Sequence, residues 1–194
     1  MIVPEVVVSS STEDAEEVLR TIEKALKNKF LPIVGPLKGE ILAEEVKKIM
    51  PKRVLEVGTL IGYSAVLIGK ELDQDAEIVT IEIHPKETKT ASKNLVKANI
   101  PPKVTVITGD ALKVIPTLKG TFDFAFIDAE KTEYYQYLRL AENKLCRGAI
   151  IVADNAGIFN SQMRDYLDYV RFSGRYQSRY VPIDHDGLEI SVKL

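Results

Sequence analysis

The chain carries one cysteine, two histidines, no tryptophan, and nowhere the apolar run of roughly 20 residues that a membrane-spanning helix needs. A lone cysteine, Cys146, excludes an internal disulfide, which suits a reducing, intracellular setting. With only His84 and His185, a zinc site of the His/Cys-rich kind is nearly excluded, so any metal has to sit on oxygen. Neither sign of charge dominates: 26 basic against 28 acidic side chains argue against a surface given over to nucleic acid or anionic lipid. The N-terminal Met-Ile-Val-Pro-Glu-Val-Val-Val is short, carries Glu5, and lacks the basic start and long apolar centre of a signal peptide. A cytoplasmic protein without membrane association is the expectation. What is present suffices for one domain: 194 residues, 45% hydrophobic, can bury roughly 70% of the unfolded chain's surface around one core.

Two helices come first. Ser10 and Glu13 offer a capping box, after which Ala15, Val18, Leu19, Ile22, Ala25 and Leu26 recur on one helical face. The segment Phe30 to Pro36 reads as loop, and a second helix fits 38–49 with Ile41, Leu42, Val46 and Ile49 inward, closed by Pro51. Residues 1–50 are therefore expected to flank the core formed by 51–194. From residue 52 onward, apolar β-branched runs alternate with helical stretches, the pattern of an α/β domain with a parallel sheet. Strands are predicted at 53–57, 78–83, 104–108, 122–127 and 149–153, and helices at 62–72, 86–98, 110–118, 131–144 and 160–171. Residues 176–183 and 188–194, joined through an Asp-Gly turn, add an antiparallel hairpin. The expected fold is thus Rossmann-like and doubly wound: seven strands, mostly parallel, with helices on both faces.

In such sheets, ligands lie outside the carboxyl ends of the strands. After the first strand, Gly58 and Gly62 allow a tight turn into a helix whose N-terminal amides suit a carboxylate; the third glycine of Gly-x-Gly-x-x-Gly is missing. Glu82 ends the second strand, where an acid can accept both hydroxyls of a ribose. Asp110 follows the third strand, placed to meet an adenine amino group by its side chain or through neighbouring backbone at Ala111. Three such features together favour S-adenosylmethionine (SAM) over a dinucleotide.

The segment 54–66 (Val-Leu-Glu-Val-Gly-Thr-Leu-Ile-Gly-Tyr-Ser-Ala-Val), Glu82, Phe-Ile-Asp-Ala-Glu-Lys (126–131) and Ala-Asp-Asn (153–155) resemble the metal-dependent O-methyltransferases of the catechol and caffeoyl-CoA type. The likeness covers roughly 33–194 and includes the tail Asp186-Gly187-Leu188-Glu189. The resemblance implies a methyl transfer from SAM to a hydroxyl of a vicinal dihydroxy aromatic. It implies Asp128, Asp154 and Asn155 as three hard oxygen ligands for Mg²⁺ or another divalent cation, with Asp128 also beside the cofactor. Lys131 becomes the general base or the group that holds the substrate oxyanion. Val34 matches the residue whose backbone closes over the cofactor's methionine part, Ser64 the hydroxyl at its carboxylate, and Glu56 the acid opening the glycine motif. Lys131, Asn155 and Glu189 match the residues that contact substrate.

Ala129 and Glu130 follow the caffeoyl-CoA and bacterial pattern rather than the catechol one, and the stretch after Asn155 is shorter than in many relatives, which leaves substrate identity open. Little length remains for a lid, so a relatively open pocket is expected. Methylation of a hydroxylated nucleoside in tRNA, a nicotinamide oxidoreductase and a non-catalytic nucleotide-binding module are the competing readings. Phe159, Tyr134, Tyr135 and Tyr137 read as core before pocket wall, Cys146 as a packed thiol and His185 as a turn residue. Apolar residues 2–8 need cover, and relatives commonly pair, so a homodimer is expected.

Overall fold

A computed structural model describes residues 11–26 and 31–194. The Ser10 cap, the Glu13 side chain and the apolar segment 2–8 lie outside the described residues. Seven strands form one sheet: β1 (Arg53–Val57), β2 (Glu77–Glu82), β3 (Lys103–Thr108), β4 (Phe122–Ile127), β5 (Leu145–Ala153), β6 (Tyr176–Ile183) and β7 (Asp186–Lys193). Their order is β3-β2-β1-β4-β5-β7-β6; the first five are parallel, while β7 runs antiparallel to both β5 and β6. The chain moves outward from β1 to β2 and β3, then returns to place β4 on the other side of β1. That reversal opens a crevice at the carboxyl ends of β1 and β4, where ligands of such sheets lie.

Both faces of the sheet are covered, which is why its central strands read as continuous apolar runs. One face packs Val54, Phe124, Phe126, Ile150 and Val152 against α1 (Ser11–Ala25), α2 (Gly35–Ile49), α3 (Tyr63–Gly69) and α4 (Pro85–Ala98). The other packs Leu55, Val57, Phe122, Ile127 and Ile151 against α5 (Ala111–Thr117), α6 (Tyr134–Ala141) and α7 (Arg164–Phe172). Tyr134 and Tyr137 belong to this second core, as expected of aromatics at helical spacing, and Tyr135 and Phe159 pack partly buried against it. No described helix is long and apolar enough to cross a membrane.

Four expectations need correction. The hairpin turns at Asp184-His185, with Asp184 at φ 52°, and Gly187 already lies in β7 opposite Pro182. A Cβ on Gly187 would stand 2.4 Å from the Val181 carbonyl oxygen, so glycine serves close strand contact here rather than the turn. β5 begins at Leu145, four residues early, because a register shift between Phe122 and Phe124 admits an irregular start. The last helix starts at Arg164, since residues 154–163 are spent in consecutive turns off the end of β5. Ile49 and Ala25 are exposed, each in the last turn of its helix.

Candidate active site

Gly58, at φ 97°, carries the end of β1 past the end of β4: a Cβ there would lie 2.0 Å from the Asp128 carbonyl oxygen. The glycine is therefore required by the neighbouring strand as well as by any ligand above it. Gly62, at φ 85°, opens α3. Below this turn Glu56 is fully buried and accepts hydrogen bonds from Ser64 Oγ at 2.5 Å and from Thr80 Oγ1. Burial pushes its carboxyl up to about 7, against those hydroxyl bonds and with help from the charges of Asp128 and Glu82. Ser64 thus donates inward to Glu56. In this arrangement the hydroxyl is not the free donor toward a cofactor carboxylate that the resemblance implied, and α3 offers its backbone.

Glu82 ends β2 with one oxygen on the Leu60 N–H and the other on the His84 N–H, both at 2.8 Å. These bonds pin the glycine turn to the neighbouring strand and still leave each oxygen a lone pair. Asp110 caps α5 by accepting from the Leu112 N–H at 2.9 Å, while its second oxygen lies 3.2 Å from Lys113. With its side chain so engaged, the backbone of Asp110 and Ala111 is the part left for an adenine edge. Val34 is buried at the N-terminus of α2, ahead of Gly35 at φ 72°.

The switch-point crevice brings the remaining residues together. Asp128 follows β4 and accepts from Lys131 Nζ at 2.8 Å; Lys131 also donates to the Tyr134 hydroxyl at 2.9 Å. Tyr134 is buried, and burial together with the charges of Asp128 and Asp154 holds its phenol well above the usual range. Asp154 follows β5, 2% exposed, and its Oδ1 takes both Lys38 Nζ at 2.5 Å and the Asn155 N–H at 2.6 Å. Burial and then the charge of Asp128 raise its carboxyl to about 7, with Lys38 opposing them. Lys38 itself ends up raised: burial alone would lower it, but Asp154 and Asp186 outweigh that. Asn155 sits at φ 65°, a left-handed position that asparagine tolerates, and donates its Nδ2 to Asp186 at 2.8 Å.

Glu189 is not brought to this group. Strand alternation puts Leu188 and Ile190 into the core under α2 and α3, so Glu189 faces α7, fully buried. There Arg171 grips it bidentately at 2.9 and 2.5 Å, and Ser178 donates at 2.6 Å. Held in this way, the carboxylate faces α7 and not the crevice in which the resemblance implied a substrate contact. Conversely, Lys38 and Asp186 stand at the site without having been expected there. Lys38 lies 116 positions from Asp154 and carries no local signature, while the Asp186-Gly187 pair has the sequence pattern of a turn. A surface cleft of about 380 Å³ between α4 and the edge strand β3 is lined by Ser92, Leu95, Val96 and neighbouring residues that carry no charge. The concentration of chemistry at the strand ends outweighs its size.

A doubly wound sheet with a glycine turn after β1, an acid after β2, and two carboxylates with a lysine at the switch point defines a Rossmann-like methyltransferase fold. The family model described as O-methyltransferase matches residues 8–168, and the chain belongs to that family. It is 37% identical over 153 residues to a catechol O-methyltransferase of Mycobacterium tuberculosis, covering 78% of this chain and 64% of that one. It is 34% identical over 195 residues to catechol O-methyltransferase B of Danio rerio, covering 93% and 73%. Among solved structures, the O-methyltransferase from Bacillus cereus in complex with SAH superposes with a TM-score of 0.83 at 27% identity, covering 97% of this chain and 94% of that one. This chain thus spans just under two thirds of the mycobacterial protein's length.

Proposed function

We propose that the protein is a SAM-dependent O-methyltransferase acting on a vicinal dihydroxy aromatic small molecule, with a divalent cation such as Mg²⁺ held by Asp128, Asp154 and Asn155, and that residues 1–194 form one catalytic domain. One observation carries the reading. At the switch point, Asp128 Oδ2, Asp154 Oδ2 and Asn155 Oδ1 have no hydrogen-bond donor among the described residues, while the other polar atom of each of these side chains is occupied. No cluster of three His, Cys, Asp or Glu suited to a metal occurs among the described residues, so this donor set depends on the Asn155 amide. Hard oxygens from the ends of two neighbouring strands fit Mg²⁺ better than a softer ion. The B. cereus structure's complex with SAH, the demethylated form of SAM, supports the choice of cofactor.

SAM supplies an electrophilic methyl on a sulfonium, and a divalent cation supplies positive charge that favours a phenolate and fixes two adjacent substrate oxygens. The rest falls to this chain. The Glu82 carboxylate and the Asp110–Ala111 backbone bind the nucleoside part, Gly58 clears the space, and Val34 closes from α2. Lys131 Nζ takes the proton from the attacking hydroxyl. The ammonium formed stays on Asp128 and the Tyr134 hydroxyl, the partners it has in the structure. The methyl–sulfur bond breaks as the methyl–oxygen bond forms, so a neutral thioether, a methyl ether and a protonated Lys131 result. Family membership speaks against the nicotinamide oxidoreductase reading.

The test is a methylation screen that pairs small catechols with tRNA, run with and without a chelator of divalent ions. Methyl transfer to catechols that chelation abolishes is the expected outcome. Transfer only to tRNA would replace the substrate class, and activity unaffected by chelation and by Asp154→Ala would remove the cation. A cytoplasmic location and a homodimer are further parts of the proposal; light scattering in solution decides the second.

A further inference from the structure

Asp186 has no part in the chemistry above, yet its bonds determine how two residues of the site face the crevice. Its Oδ2 accepts from Lys38 Nζ at 2.9 Å and from Asn155 Nδ2 at 2.8 Å. Its Oδ1 accepts from the Gly157 and Ile158 N–H groups, both at 3.1 Å. Every partner is a donor, a set that suits an acceptor-only carboxylate. An amide bound through its nitrogen has to turn its oxygen the other way, so Asn155 Oδ1 points away from Asp186 and has no donor among the described residues. The same Lys38 ammonium, together with the Asn155 N–H, fills Asp154 Oδ1 and leaves Oδ2. The network joins α2, the end of β5 and the first residue of β7.

We propose that Asp186 is a positioning residue: with Lys38 as the bridge, it orients the Asn155 amide and the Asp154 carboxylate so that both present a free oxygen to the cation site. This inference rests on the divalent-cation reading of the same site. An asparagine amide without such a partner can rotate and present its NH₂ group, which has no lone pair to offer a metal. Outer partners of this kind typically contribute 10- to 100-fold in metal affinity.

A double-mutant cycle on the full chain, read by Mn²⁺ titration under electron paramagnetic resonance without substrate, tests it. D186N is expected to weaken Mn²⁺ binding roughly 10- to 100-fold in the wild-type background. In the N155D background that loss should shrink several-fold, because a carboxylate has no nitrogen end to misplace and only the arm through Lys38 to Asp154 remains. D184N, removing an exposed acid two residues away, should leave Mn²⁺ affinity unchanged. An equal loss with and without N155D would overturn the proposal, since Asp186 would then act through charge or fold. Should D186N not fold, the wild type decides: the Asn155 side-chain amide protons should exchange with solvent far more slowly than those of the exposed Asn160, and equal exchange overturns the proposal. A wild type that binds SAM but no Mn²⁺ would sink the divalent-cation reading itself; a wild type that binds Mn²⁺ without coupling in the cycle would sink only the role of Asp186.

Discussion

Gly58 and Lys131 separate two kinds of requirement at single positions. Gly58 holds a positive φ and stands where any Cβ would meet the Asp128 carbonyl, so Gly58→Ala combines left-handed strain with a backbone clash. Its expected cost is about 3 kcal/mol or more in urea unfolding, accompanied by weakened SAM binding, because the turn and the β4 end move together. Lys131, its side chain 15% exposed, is held by Asp128 and the Tyr134 hydroxyl, and no backbone constraint of that kind rests on it. Lys131→Ala should therefore lower turnover by about 10²- to 10⁴-fold, the range for a general base, while calorimetric SAM affinity stays near wild type. A turnover within a few-fold of wild type would make this lysine a surface residue. Both residues were legible in the sequence because local motifs carry them. Glu189 shows the complementary case: its motif is local, but its environment is made by Arg171 on another element and no sequence pattern carries it.

At the scale of elements, the strands at 53–57 and 122–127 fall where apolar periodicity places them, since both are central and buried on two faces. The tail was harder to read. An Asp-Gly pair suggests a tight turn at 186–187, but the turn lies two residues earlier, at Asp184-His185, and Asp186 pairs with Ile183 as the first rung of β7. That two-residue shift frees the Asp186 side chain for Lys38 and Asn155 and takes Gly187 into the strand. Alternation along β7 then sends Glu189 toward α7, where its ion pair with Arg171 fastens the helix to the sheet. Arg171→Met leaves that carboxylate buried and unpaired. A loss of about 2 kcal/mol in unfolding free energy is expected, below the full buried-pair range because the arginine is partly exposed. KM for a catechol substrate should not move. A raised KM with unchanged stability would restore Glu189 to the substrate site.

On the scale of the whole molecule, the switch point gathers acids: Glu56 and Glu82 at the ends of β1 and β2, Asp128 after β4 and Asp154 after β5. A sequence shows each acid but not their mutual distance, so the electrostatic cost of assembling them appears only in the fold. Glu56 records that cost, its carboxyl raised from an ordinary 4.5 to about 7. A carboxyl raised on folding is protonated more readily in the native state than in the unfolded one. Its stabilising contribution is complete below the unfolded value, declines as pH rises through the interval from about 4.5 to about 7, and is absent above it. Wild type should therefore lose stability across that interval, with Asp154 adding to the trend because its carboxyl is raised in the same direction. Glu56→Gln keeps an amide oxygen that can accept from Ser64 and Thr80 and removes one titration. Urea unfolding at about pH 5 and about pH 8 should show the variant losing less stability than wild type, by on the order of 2–3 kcal/mol. An equal loss in both proteins would mean that Glu56 is ionised without penalty, and that water or a cation reaches the acids beneath the glycine turn.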